Sequence, residues 1–295
     1  MSYNSELSIV IARVGPSRHF DESVNGFLHE LDGRGRILVM DAEEDAWSHE
    51  SKAVCVISCP RGSLAPELWR DGLNQSSSHL VAFTTAQMIP RAGWLTAMRD
   101  ALHHTDAAGV GGPIAPGDSL SNLDRALYLL RYANYLPPVP ETDAFDPPGD
   151  NAIYRRDRLV GLEVSWKTGF WEVDVHRHLR ARGQTLACAQ NAIIDFHGGG
   201  AFASSLAHRL IHAQNYGAGR FSNQSVISRL ARSAIAPAVP PLLLSRILGN
   251  LKKRNEPIGP WLPALPHLGL LLAVWSAGEA TGALFGPPTR PSRAA

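Results

Sequence analysis

The segment FWEVDVHRHLRARG, residues 170–183, places two carboxylates, Glu172 and Asp174, at the head of a run in which Val175 and Leu179 recur at helical spacing. A carboxylate in the first turn of a helix is held in its charged form by the positive end of the helix dipole. That suits a general base, which must be ionised before it can take a proton. Acids also collect in first turns with no catalytic part to play, so position alone does not make one a catalyst. Phe170 and Trp171 add an aromatic platform beside the carboxylates, the pairing expected where a hydroxylated ring is held and deprotonated.

Other polar residues stand where apolar runs end. RILVMDA (36–42) ends at Asp41, whereas Val81-Ala82-Phe83 gives way to the uncharged Thr84-Thr85-Ala86-Gln87. GDNAIYRRDRL (149–159) sets Asn151 after a glycine-containing turn and carries the adjacent Arg155 and Arg156. His197 closes another apolar run before three glycines. Neither GVGGP nor HGGG opens a helix at the spacing of a dinucleotide fingerprint. The sequence has no P-loop, no nucleophile elbow, no HExxH and no cluster with metal-ligand spacing.

The elements that must position these residues alternate. LSIVIA (7–12), RILVMDA, AVCVISC (53–59), HLVAFTT (79–85) and AAGVGGPI (107–114) read as strands. DESVNGFLHEL (21–31), PELWRDGLNQS (66–76) and GWLTAMRDALHH (93–104) read as the helices between them. This alternation predicts an α/β domain with a mostly parallel central sheet. Ligands of such sheets bind beyond the carboxyl ends of the strands, which selects Asp41 and the Thr85–Gln87 segment by position. Further on, 119–136 reads as a helix and the proline-rich 137–150 as an active-site flap. Residues 169–183 read as a helix stopped by glycine, 185–200 as strand-like to His197, and 204–217 as a helix.

The chain has 295 residues, 44% of them hydrophobic and 19% charged, and a formal net charge of +1. That composition describes a folded, charge-poor protein and excludes strong overall steering toward nucleic acid. Cys55, Cys59 and Cys188 lack metal-ligand spacing and read as reduced core or near-core thiols. MSYNSELSIV has neither the basic start nor the long apolar core of a secretory signal, so the expectation is cytoplasmic. The tail differs: 235–254 and 262–286 are apolar and proline-broken, with Lys252, Lys253 and Arg254 between them. These runs read as a pair of interfacial or re-entrant helices at an anionic membrane surface, with a buried helical hairpin as the alternative.

Together these segments resemble the family 2 glycosyltransferases, whose catalytic domain is a nucleotide-diphospho-sugar-binding α/β fold of the GT-A type. The resemblance covers roughly residues 7–200 by the order of elements. SIVIARVG is similar to the family's opening strand, with Ala12 and Gly15 in place of the usual proline and asparagine. RILVMDAEED resembles the strand that ends in paired aspartates, Asp41 matching the first and Ala42 replacing the second. LWRDGLNQSSSHLVAFTTAQMIPRAGWL resembles the segment with an Arg-Asn-x-Gly helix and the metal strand. Arg70, Gly72 and Trp94-Leu95 match there, while Asp71 replaces the asparagine. GDNAIYRRDRL is similar to the acceptor-side motif, and IIDFHGG to the strand ending in a histidine near the diphosphate. In the catalytic signature Glu172 takes the place of the catalytic aspartate, Asp174 the later acid, and Trp171 replaces the preceding glutamate.

The resemblance implies a catalytic domain over 1–203, and the apolar composition makes 204–295 a helical, membrane-associated region. It implies inverting transfer of a sugar from a nucleotide-diphospho-sugar to a hydroxyl acceptor, lipid-linked or saccharide. Cell-envelope polysaccharide or glycolipid synthesis at the cytoplasmic side of the membrane is the setting, with a soluble cytoplasmic protein as the alternative. Glu172 and Asp174 would be the catalytic acids. Ala12, Arg13, Asp41, Arg70, Thr85, Gln87 and His197 would face the nucleotide sugar, and Asn151, Arg155, Arg156 and Trp171 the acceptor. The family's metal-holding aspartates are replaced by Thr85 and Gln87, a hydroxyl and an amide. Divalent ions take hard, preferably anionic oxygens, so no metal ligand is assigned and magnesium or manganese is not expected to be strongly held. A leaving diphosphate still requires positive charge, for which Arg13, Arg70, Arg155, Arg156, Lys167 and His197 are available. The competing expectation is a non-catalytic protein of this fold that binds a sugar nucleotide or a protein partner as a regulator.

Overall fold

The computed structural model of the chain describes residues 6–15, 17–139, 145–221 and 224–287. Its elements run β1 (Leu7–Arg13), α1 (Phe20–Leu31), β2 (Gly35–Asp41), β3 (Val54–Ser58), α2 (Ala65–Gln75), β4 (Leu80–Thr85), β5 (Met88–Pro90), α3 (Trp94–Thr105), β6 (Gly109–Gly111), β7 (Ile114–Pro116) and α4 (Asn122–Tyr132). There follow β8 (Ala152–Arg155), a short α5 (Arg156–Leu159), α6 (Glu172–Ala181), β9 (Leu186–Cys188), β10 (Ile194–Phe196), α7 (Phe202–Phe221), α8 (Val226–Ile235), α9 (Val239–Lys253) and α10 (Leu265–Phe285). Two compact units result, Met1–Asp118 with Tyr135–Gly199, and Ser119–Asn134 with Gly200–Ala295. Helix α4 thus groups with the tail, which a linear division at 203 and 204 does not express.

The first unit is built on a seven-stranded sheet in the order β3-β2-β1-β4-β8-β6-β9. All seven residues of β1 are buried, as a continuous apolar run demands when both faces of a parallel strand are covered. Its pairing is parallel on both sides and puts Arg13 opposite Asp41, and Ala12 opposite Thr85. On one face Val10, Ala12, Met40 and Phe83 pack with Leu68, Trp69 and Leu73 of α2. Gly72 permits that approach, because a Cβ there would meet Val10 Cγ1 at 2.3 Å. Strand β8 lies between β4 and β6 and is antiparallel to both.

The structure departs from the sequence reading in three strands, the first being 107–114, which divides into β6 of the large sheet and the start of β7 in a second sheet. Residues 185–200 divide, β9 joining the large sheet while β10 joins a three-stranded sheet in the order β5-β10-β7. A turn closed by Ala192 N donating to Ala189 O at 2.9 Å redirects the chain between them. The edge strand β3 is covered incompletely, so Cys55 is exposed rather than in or near the core, and Cys59 and Cys188 are partly buried. Burial pushes the Cys59 thiol up to about 11, away from reactivity.

In the second unit α10 packs against α7 through glycines. A Cβ at Gly217 would meet Glu279 O at 2.3 Å, one at Gly278 would meet Ala213 Cβ at 2.6 Å, and one at Gly282 would meet Gln214 O at 2.1 Å. Small residues at such contacts let two helix backbones approach closely. Tyr128 of α4 stacks on Trp261 with centroids 5.5 Å apart. Two helical stretches, Val226–Lys253 and Gly259–Phe285, are long and apolar enough to cross a membrane, with 11% and 39% of their most apolar windows buried. Helix α8 was not singled out in the sequence reading, which placed 218–234 only within the helical, apolar region 204–295.

Gly282→Ala must push α10 off the Gln214 carbonyl. The expected cost is about 1–3 kcal/mol, the range for overpacking, read as a lowered unfolding midpoint. Ala at Gly286, which has nothing within 4 Å but a φ of +86°, tests strain without crowding.

Candidate active site

The carboxyl ends of β1, β2 and β4 meet at one edge of the sheet. Arg13 is 8% exposed there. Its Nη1 donates to Asp41 Oδ2 and to Asp45 O, each at 2.9 Å, and its Nη2 donates to Asp45 Oδ2 at 2.7 Å. Burial works against the guanidinium charge, but the two carboxylates outweigh it and raise the Arg13 pKa. The loop after β1 is tied down on both sides. Gly15 N donates to Glu43 Oε1 at 2.6 Å, Gln87 Nε2 to Val14 O at 3.1 Å, and Ser17 Oγ to Ala86 O at 2.8 Å. Ala12 is wholly buried and contributes its carbonyl, which accepts from Ala86 N at 3.1 Å. His197 joins this edge through its backbone N–H, which donates to Gln87 O at 2.9 Å, and its ring lies 5.0 Å from that of His19. Burial first, and then His19, lowers the His197 pKa, so at neutral pH the ring is a neutral hydrogen-bonding group.

Thr84 and Thr85 are 2% and 3% exposed, and neither hydroxyl has a hydrogen-bond partner among the described residues. Among those residues no group of three or more His, Cys, Asp or Glu side chains gathers to hold a metal ion. Asp41 is bound to Arg13 and the Gln87 amide nitrogen is turned to the backbone. Two neutral side chains beside an ion-paired carboxylate do not fit a divalent cation.

Glu172 stands at the first position of α6, after Trp171 as the N-cap residue. Phe170 N donates to Pro66 O at 2.6 Å and fixes where that helix starts. The backbone at Gly149 passes between an indole and the carboxylate, since a Cβ there would meet Trp69 Cζ3 at 2.6 Å and Glu172 Oε2 at 3.3 Å. The same indole donates from Nε1 to Thr84 O at 2.8 Å. Thr84, Trp69, Gly149 and Glu172 therefore form a contiguous line from the end of β4 to the candidate base. Tyr135 lies near it: burial, with the charge of Glu172 next in size, raises the phenol pKa.

One turn along α6 is a network that sequence reasoning missed. Tyr154 Oη lies 2.7 Å from His176 Nε2, and His176 Nδ1 lies 2.9 Å from Asp146 Oδ1. Arg180 donates from Nη1 to Asp146 Oδ1 at 2.7 Å and from Nη2 to Phe145 O at 2.8 Å. A carboxylate only accepts, so Nδ1 carries the imidazole proton and Nε2 accepts from the phenol. This pins the end of the 137–150 loop to α6; residues 140–144 of the expected flap lie outside the described residues. The i,i+4 relation of Glu172 and His176 was visible in the sequence, but the partners on another strand and loop were not.

Other candidates go elsewhere. Because β8 is antiparallel to β4, Arg155 pairs with Leu80 at the start of that strand, far from Thr85. Its guanidinium donates to Ala107 O at 3.1 Å and Leu102 O at 2.7 Å, and Arg156 donates to Leu73 O at 2.8 Å. Both arginines close off helix C-terminal carbonyls at the opposite edge of the sheet, which corrects their placement on the acceptor side. Asn151 does lie at the site edge, but it is 1% exposed and its amide is occupied. It donates to Pro113 O and Ala192 O, each at 2.9 Å, and accepts from Trp94 Nε1 at 2.8 Å. Arg70 bonds to Asp71 and to Lys167 O on the flank of α2, and Asp174 pairs with Arg177.

No protein-family model matches the sequence, and no curated protein matches it. Among solved structures, the chain is similar to a mannosyltransferase from Pyrobaculum calidifontis in complex with GDP-Man and Mn2+. The TM-score is 0.52 at 14% identity, over 96% of this chain and 88% of that one. That likeness shows the fold, a glycosyltransferase fold with a mostly parallel sheet followed by apolar helices.

Burial lowers the His176 pKa below its ordinary 6.5, and Asp146 only partly offsets this. The unfolded chain then takes up a proton that the folded one refuses, so stability is lost as pH falls through about 6.5. Burial raises the Asp146 carboxyl, but His176 and Arg180 outweigh that and hold it below its ordinary range, which adds a further loss on stronger acidification. The urea midpoint is expected to drop between about pH 7 and pH 5. His176→Gln should flatten that slope, and Tyr154→Phe should lower the unfolding free energy by about 1–3 kcal/mol throughout for the imidazole left unpaired, read as a lowered urea midpoint.

Proposed function

We propose that the chain transfers a sugar from a nucleotide-diphospho-sugar to a hydroxyl acceptor with inversion, Glu172 serving as general base. The observation that carries this reading is the Glu172 carboxylate itself. It is held at the N-terminus of α6 and reached from the end of β4 through Trp69 and Gly149, within a glycosyltransferase fold. Glu172 takes the acceptor proton while the acceptor oxygen attacks the anomeric carbon. The bond from that carbon to the diphosphate breaks on the opposite face, and the nucleoside diphosphate leaves with the electron pair. The helix dipole keeps the base ionised beforehand. The P. calidifontis enzyme was solved with GDP-Man, which supports a nucleotide sugar as donor.

The charge that stabilises the leaving diphosphate is assigned to side chains, because Thr85 and Gln87 suit no divalent ion. Of the expected cations, Arg13 and His197 stand at this edge, His197 as an N–H donor. Transfer is therefore metal-independent or weakly metal-dependent. The apolar tail motivates a lipid-linked or membrane-proximal acceptor at the cytoplasmic face of the membrane, in cell-envelope polysaccharide or glycolipid synthesis. A second reading, a non-catalytic regulator that binds a sugar nucleotide or protein partner, is favoured by the Arg13 fork being occupied by Asp41 and Asp45.

Thermal shift and turnover against a panel of nucleotide sugars separate these readings. Wild type and Glu172→Gln should both be stabilised by one donor, with turnover reduced in the variant by about 10²–10⁴, the range for loss of a general base. Donor binding without turnover in wild type supports the regulator, and no binding to any donor sinks the transferase reading. Activity abolished by chelator and restored by manganese would overturn metal independence.

A further inference from the structure

The charges of this protein are unevenly divided along its length. Residues 196–295 hold ten Lys or Arg against Glu256 and Glu279, whereas residues 1–195 hold 18 Lys or Arg against 25 acids. From 196 to 255 there is no acid at all. Within that stretch α8 is turned inside out by the standard of a soluble protein. Val226, Ile227 and Leu230, at helical spacing, are 69%, 80% and 54% exposed. The exposed apolar course continues into α9, where Leu242 is 49% exposed, and ends at exposed Arg246, Lys252 and Lys253.

Helix α10 behaves differently although it is the more apolar of the two stretches. Leu268, Leu271 and Leu272 are fully buried, and Gly278 and Gly282 seat it on α7. More of its apolar surface is spent inside the protein, 39% of its most apolar window being buried against 11% for the α8–α9 stretch. Contiguous exposed apolar surface marks an interaction site, and an acid-free, basic surround selects what covers it. Hydrocarbon beneath anionic headgroups satisfies both features at once.

We infer that the outer face of α8 and the start of α9 dock on an anionic lipid bilayer, lying in its interface, while α10 stays within the protein. This rests on the membrane reading above and names the surface responsible. A second copy of the chain is the rival occupant.

The test is co-sedimentation of the full chain with phosphatidylcholine vesicles, with and without phosphatidylglycerol, together with sedimentation velocity of the protein alone. Wild type should bind the phosphatidylglycerol vesicles at least about tenfold more tightly than the neutral ones. Ile227→Asp with Leu230→Asp should lose binding by about tenfold or more, and Lys252→Glu with Lys253→Glu should erase the lipid preference. Leu270→Asp, on the 44% exposed side of α10, should bind as wild type. Equal unfolding midpoints confirm that each variant is folded. Binding lost in Leu270→Asp and kept in the α8 variant would overturn this surface while leaving the membrane reading intact. No preference for phosphatidylglycerol would overturn its anionic character. Binding to no vesicle would overturn both, and self-association abolished by the α8 variant would assign the face to a second copy.

Discussion

Strand β1 is buried on both faces and paired in parallel on both edges, and its register places every group at the candidate donor edge. With Leu7 opposite Gly35 and Leu80, the strand must end with Arg13 beside Asp41 and Ala12 beside Thr85. A slip of one residue would turn its side chains to the other face and move Arg13 from the α1 side, where it lies over Phe20, to the α2 side. Gly72 contributes to this constraint, since the closeness of α2 to Val10 brings Trp69 to Thr84 O and so toward Glu172.

At that edge the electrostatics favour self-pairing. Arg13, Asp41 and Asp45 satisfy one another, and two carboxylates against one guanidinium leave a net negative charge where a diphosphate would need a positive one. Thr84 and Thr85, on opposite faces of β4, each carry a buried hydroxyl with no hydrogen-bond partner among the described residues. A buried polar atom without a partner costs stability and calls for an explanation in function or bound water.

The acidic side of the site is organised differently. Glu172 heads a helix whose next inward turn is fixed by His176, held between Tyr154 of the sheet and Asp146 of the proline-rich loop. The candidate base therefore sits on an element tied to both a strand of the sheet and the proline-rich loop. Such support is what keeps a catalytic carboxylate within a fraction of an ångström of its working position.

Local pattern alone determined much of this protein. Alternating apolar runs and helical stretches gave the parallel α/β core, the edge at Asp41 and Thr85, and the helix beginning at Glu172, because strand burial and helix periodicity are written in neighbouring residues. Only the tertiary structure decided where those elements point. The reversal of β8 sent Arg155 and Arg156 to the far edge, and the turn at Ala189–Ala192 split one strand-like run between two sheets. Pairing across about thirty residues made His176 the partner of Asp146, and glycine contacts buried α10 while α8 was left with its apolar face outward. Strand direction, long-range pairing and which side of a helix is covered depend on contacts between residues distant in sequence, and short-range periodicity carries no record of them.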